Sequence, residues 1–104
     1  MTDPYIVSLD IGSSSVRALL FDSGARRMEG YGAQLAYRPH ATPDGGVEID
    51  ANELAQLVID CLDELHRQVN AAGLKIAAVG GSAFWHSFLG VAEDGKRGLR
   101  DRWS

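Results

Sequence analysis

Cysteine is almost absent from this chain. Cys61 is the single one, so no internal disulfide can form. The histidines are as sparse: His40, His66 and His86 lie far apart and form no metal-binding spacing. No apolar run approaches the roughly 20 residues that a membrane span needs, and neither a basic leader nor an apolar signal core follows Met1-Thr2-Asp3-Pro4. The cytoplasm is therefore the expected location, with no membrane partner. An excess of basic charge is also missing. Ten Lys and Arg against fourteen Asp and Glu leave a formal net charge of −4, which argues against a nucleic-acid surface and permits a small-molecule enzyme. There is no internal repeat and no low-complexity tract. What remains, 104 residues of which 45% are hydrophobic and 23% charged, predicts one small globular domain with an adequate core.

The stretch from Ser8 to Asp22 organises the rest. Tyr5 to Leu9 is apolar and β-prone, and Val16 to Phe21 is a second apolar run closed by the turn signal Asp22-Ser23-Gly24. Only six residues separate Ser15 from that turn, too few for a crossover helix, so the spacing predicts a β-hairpin. Between the strands, Asp10 places a carboxylate at a strand's carboxyl end and Gly12 permits a tight turn. Ser13, Ser14 and Ser15 add hydroxyls beside main-chain N–H groups. A concave run of such donors suits phosphate oxygens, and a nearby carboxylate suits the magnesium that accompanies them. The stretch is neither a Walker loop, which needs Gly-Lys-Ser/Thr opening a helix, nor a three-glycine dinucleotide fingerprint.

Further along, Arg26 to Tyr37 reads as a third strand, with Gly30 and Gly32 as candidate bulge positions, and Arg38 to Val47 as a loop. Asp50 is a helix N-cap with Glu53 at the capping-box position, and Gly73 suits the helix end. Between them Leu54, Leu57, Val58, Cys61, Leu62, Leu65 and Val69 form one apolar stripe. Cys61 lies within it, so it reads as packing and not as a nucleophile. Asp63 and Arg67 are spaced for an ion pair. Lys75 to Gly80 reads as a fourth strand, buried beside the first, and Ser87 to Ala92 as a fifth; Arg97 to Ser104 offers no element. A long helix between an antiparallel meander and an inner strand implies a crossover and a parallel pairing. The order βββαβ opens a ribonuclease H-like α/β fold, here an incomplete mixed sheet.

Asp10-Ile11-Gly12-Ser13-Ser14-Ser15-Val16-Arg17-Ala18-Leu19-Leu20-Phe21-Asp22 resembles the first phosphate motif of the FGGY carbohydrate kinases, relatives of actins and heat-shock chaperone ATPases. Two later segments add to the likeness. Gly46-Val47-Glu48-Ile49-Asp50 is similar to the family's entry into its first helix, and Ile76 to Ser82 followed by Phe84-Trp85-His86-Ser87 to its next strand and substrate segment. Many xylulose- and gluconate-kinase-like members have Met-His-Gly or Met-His-Ser where this chain has Trp85-His86-Ser87; glycerol kinases have Arg-Glu, which disfavours glycerol.

The resemblance implies ATP and Mg2+ as cofactors and a sugar or sugar acid as acceptor. It assigns Asp10 to hydrated magnesium, Gly12, Ser13 and Ser14 to phosphate oxygens, and Arg17 to the neighbourhood of the nucleotide. It assigns Trp85 to stacking on the sugar and His86 to a hydroxyl, although a packed aromatic and a satisfied histidine fit the same two residues. Members are several times longer, with the general base, second phosphate motif and adenosine pocket downstream. Residues 1–96 are thus expected to form the N-terminal part of a first ribonuclease H-like kinase domain, followed by a divergent tail over 97–104, and the chain to be inactive alone, with no catalytic residue of its own. Two other classes share parts of the pattern. A ribonuclease H-like nuclease or resolvase also begins with Asp-x-Gly but needs further carboxylates on neighbouring strands. A non-catalytic module would associate with itself or with a partner half, and an uncovered sheet face predicts a homo-oligomer.

Overall fold

The computed structural model describes residues 4–83, 87–91 and 97–103. Strands β1 (Tyr5–Ile11), β2 (Ser15–Phe21) and β3 (Arg27–Ala36) form an antiparallel meander. The run Val16–Phe21 is strand, as the short spacing requires. After helix α1 (Ala51–Ala71), strand β6 (Ile76–Ala83) returns to pair parallel with β1, giving the sheet order β3-β2-β1-β6. This is the βββαβ arrangement of a ribonuclease H-like core.

Alternation along the strands decides which side is covered. Val16, Ala18 and Leu20 of β2 are buried with Val7 of β1, and α1 presses Cys61, Leu65 and Val69 onto them. The helix packs on β2 and β3. Leu54, Leu57, Val58 and Leu62 lie half-buried at the margin of the same cluster. Full burial of a Val or Leu side chain contributes about 1.5–3 kcal/mol, so these seven residues supply most of what holds helix to sheet. Cys61 is fully buried, and burial pushes its thiol pKa up, in keeping with a packing role.

The helix ends follow from sequence. At the N-terminus the Asp50 carboxylate accepts from the N–H groups of Asn52 (2.8 Å) and Glu53 (3.2 Å). At the other end Gly73 takes the left-handed conformation (φ 72°), Leu74 N–H donates to Val69 O and Gly73 N–H to Asn70 O, both at 3.1 Å. This is a Schellman closure.

The irregularity expected at the glycines of β3 is present, and three other features depart from expectation. Between Leu19↔Gly32 and Phe21↔Arg27, one residue on β2 lies opposite four on β3, a bulge that Gly30 (φ 87°) makes sterically possible. Residues 38–47 contain strands β4 (His40–Ala41) and β5 (Val47–Glu48), joined by a turn in which Asp44 accepts from Thr42 Oγ1 and Gly46 N–H. The final segment, which carries no sequence signal, forms strand β8 (Arg97–Trp103) between β5 and β7 (Ser87–Val91) in a second sheet, β4-β5-β8-β7. Lastly, β6 is an edge strand and not a buried one. Val79, across from Val7, is 56% exposed, because α1 sits over β2 and β3 and does not reach it.

The ion pair on α1 also involves a different partner. Arg67 bonds Glu64, at 2.6 and 3.0 Å, instead of Asp63. Gln68 lies between this pair and the sheet: its amide nitrogen donates to Glu64 (3.2 Å) and to Gly32 O (2.9 Å), and its oxygen accepts from Gly32 N–H (2.9 Å). The helix thereby takes up both main-chain groups of Gly32. Arg67 and the Gln68 amide hold the Glu64 carboxyl at about 2, below its ordinary 4.5. A depressed folded-state pKa contributes stability that is complete above the unfolded value and fades as pH falls through the folded one. Glu64→Gln is therefore expected to narrow the drop in thermal midpoint between pH 4.5 and pH 2, by a small amount because the pair is solvent-screened. Identical midpoint curves for variant and wild type would contradict this.

Candidate functional site

Site geometry begins with strand register. On the sheet face opposite α1, Ser82 of β6, Asp10 of β1, Arg17 of β2 and Gln34 of β3 are successive cross-strand partners. They form one polar row across all four strands. Asp10 is exposed at the carboxyl end of β1, and Ser82 Oγ donates to its Oδ1 at 3.2 Å. The parallel β1–β6 pairing brings these two together although 72 residues separate them in sequence.

Immediately after β1, the chain turns over Gly12 to Ser15, closed by Gly12 N–H donating to Ser15 O at 2.8 Å. A Cβ on Gly12 would sit 3.3 Å from that same oxygen, so the absence of a side chain allows the turn this tightness. Ser13 and Ser14 are exposed at its tip. Gln34 Nε2 donates to Ser15 Oγ at 3.4 Å. Arg17 lies on the same face as Asp10, beside a shallow depression also lined by Leu19, Arg27, Tyr31 and Gln34.

Asp10, Gly12, Ser13, Ser14 and Arg17 thus fall within one hairpin end, while Trp85 and His86 lie outside the described residues. Two residues now join the turn that sequence reasoning did not single out. Ser82 was visible as the polar end of an apolar strand, and only the parallel register turns that into proximity to Asp10. Tyr37 donates through its hydroxyl to Gly12 O and through its main-chain N–H to Ser14 O (2.9 Å). The bulge in β3 hides that relation, since it breaks the residue count between the two strands.

Chemically, the site offers exposed hydroxyls, main-chain donors and one carboxylate. Among the described residues no group of three or more His, Cys, Asp or Glu is placed to hold a metal ion. Nor is any described helix long and apolar enough to cross a membrane.

Comparison with known proteins agrees with this geometry. Residues 5–101 match the FGGY family of carbohydrate kinases, N-terminal domain. The chain is similar to glycerol kinase of Rhizobium meliloti (strain 1021), 34% identical over 76 residues, covering 73% of this chain and 15% of that protein. It is also similar to autoinducer-2 kinase of Escherichia coli (strain SMS-3-5), 30% identical over 93 residues, covering 88% of this chain and 17% of that one. Its fold is that of gluconate kinase from Lactobacillus acidophilus (TM-score 0.85, 22% identity, 99% of this chain and 20% of that chain). Xylulose kinase from the same species gives a TM-score of 0.84 at 23% identity, over 97% of this chain and 19% of that chain. The chain spans 15% and 17% of the length of these two curated relatives. With the motif, the sheet and 97 matched residues in agreement, the chain belongs to the FGGY family of carbohydrate kinases, within its N-terminal domain.

Proposed function

We propose that this chain is the phosphate-binding opening of an ATP-dependent kinase that transfers the γ-phosphoryl group to a hydroxyl of a sugar or sugar acid. The observation that carries this reading is the Gly12–Ser15 turn with the Asp10 carboxylate at its mouth, steadied by Ser82. Phosphoryl transfer depends on positioning and charge balance more than on covalent help from the protein. Ser13 and Ser14 present hydroxyls and main-chain N–H groups to the phosphate oxygens, and Arg17 balances their charge from the next strand. A single exposed carboxylate fits an ion that keeps most of its water, as magnesium does, and does not fit a closed protein cage. When bound, magnesium would supply charge neutralisation at the phosphates, and Asp10 would hold it through its water.

Acceptor choice rests on the segment Trp85-His86-Ser87, read as a stacking ring and a hydroxyl partner. Curated relatives named as glycerol and autoinducer-2 kinases stand beside structural neighbours named as gluconate and xylulose kinases, so the likenesses do not narrow it further. The nuclease reading loses support, because the residue next to Asp10 on β6 is Ser82 and not a second carboxylate. The kinase motifs are read over residues 1–96, and the family match runs on to residue 101.

The family resemblance implies a general base downstream of this segment, so the purified 104-residue chain is expected to form no ADP from ATP and magnesium with gluconate, xylulose or glycerol. Substrate-dependent ADP release would overturn the assignment of the base to another part of the enzyme.

A further inference from the structure

Tyr37 stands just past the end of β3, yet it touches the phosphate turn twice. Its main-chain N–H donates to Ser14 O at 2.9 Å, and its hydroxyl donates to Gly12 O. The phenol is half-buried, and burial raises its pKa, so it remains a protonated donor at neutral pH. No peptide bond among the described residues is cis. In a planar trans peptide the C=O and the following N–H point in opposite directions. A hydroxyl that holds the Gly12 carbonyl therefore fixes the Ser13 N–H, in the same peptide plane, to point away from Tyr37. Ser13 is exposed, and no main-chain acceptor among the described residues takes its N–H. Among the described residues, one main-chain hydrogen bond joins the ends of the turn, Gly12 N–H to Ser15 O, and it does not engage the Gly12–Ser13 peptide group.

We propose that Tyr37 is a positioning residue of the phosphate turn, its hydroxyl orienting the Ser13 N–H toward the phosphate oxygens of a nucleotide. This deepens the reading of the turn given under the proposed function and rests on it. Tyr37 touches no ligand itself. It acts by removing a rotation that the turn would otherwise have to lose on binding, which is pre-organisation.

The test uses the 104-residue chain, amide-resolved NMR and inorganic triphosphate as the probe. In wild type, triphosphate is expected to move the amide signals of Ser13 and its neighbours. Tyr37→Phe keeps the ring and its packing and deletes only the hydroxyl. It is expected to shift the resting Ser13 amide signal and to weaken triphosphate binding about fivefold, the equivalent of one ordinary hydrogen bond. The amides of Leu20 and Val69 in the core should stay in place. Tyr5→Phe, which removes a phenol at the far end of β1, should leave triphosphate binding unchanged. Wild-type affinity and an unchanged Ser13 response in folded Tyr37→Phe would overturn the proposal while leaving the phosphate reading standing. Loss of the fold in that variant would also overturn it, since the hydroxyl would then be a structural element. No response of the turn in wild type would defeat the phosphate reading itself, and is seen before any substitution is made.

Discussion

Replacing Asp10 by Ala in the full-length kinase proposed above is expected to lower kcat by on the order of 10²–10³ and to change ATP affinity far less. The difference follows from where the carboxylate stands. Asp10 is exposed at the end of β1, hydrogen-bonded through one oxygen to Ser82 at 3.2 Å, at the mouth of a turn suited to phosphates. An anchor for hydrated magnesium would act chiefly on charge that develops during transfer, whereas the adenosine pocket, which the family resemblance implies lies downstream, would retain most of the binding. Removal of an exposed side chain at a strand end should lower the thermal midpoint little. If Asp10 were only a turn former, the midpoint would fall and turnover per folded molecule would be normal. Measuring kcat, ATP affinity and midpoint on one variant separates the two, and a normal kcat with a lowered midpoint would remove the magnesium role assigned to it.

The second large effect is on stability. Leu65 is 1% exposed in the cluster where α1 meets β2, beside Val16, Leu20, Cys61 and Val69. Leu65→Ala removes its transfer free energy and leaves a cavity, at a cost of about 2–5 kcal/mol. Small domains are stable by only about 5–15 kcal/mol in total, so a large fraction of molecules can unfold, and the turn with them. Leu54→Ala, at the half-buried margin of the same stripe, should cost clearly less. Urea unfolding of both variants gives the comparison. Equal losses, or a Leu65→Ala loss below about 1 kcal/mol, would mean that the stripe is not docked as described.

Much of this core was legible because its signals are local. The hairpin follows from apolar runs too short to hold a helix, and α1 from an N-cap, a stripe and a glycine end, each readable within a few residues. The crossover follows from a long helix joining strands that must share a sheet. What escaped depends on distant partners. The pairing of β4, β5 and β8 joins short polar segments across half the chain, with no periodicity to announce it. Exposure of β6 depends on how far α1 reaches over the sheet, and its apolar composition alone points to burial. Glu64, not Asp63, pairs with Arg67, and Gln68 joins that pair to Gly32, a partner 36 residues away in sequence.

The site divides in the same way. Asp10, Gly12, Ser13 and Ser14 are contiguous and carry a recognisable pattern, whereas Ser82 and Tyr37 become part of the site only through strand register. Tyr37 was further concealed by the irregular β3, where counting back from the hairpin fails at Gly30 and Gly32.

The most direct test of the phosphate-binding assignment is a titration of the 104-residue chain with ATP and magnesium, followed by amide-resolved NMR. The account predicts shifts concentrated at Asp10 to Ser15, Arg17 and Ser82, weaker when magnesium is withheld, with the Asp22–Arg26 turn unmoved. A response absent from Gly12 to Ser14, or centred instead on the Arg27–Tyr31 depression, would contradict it.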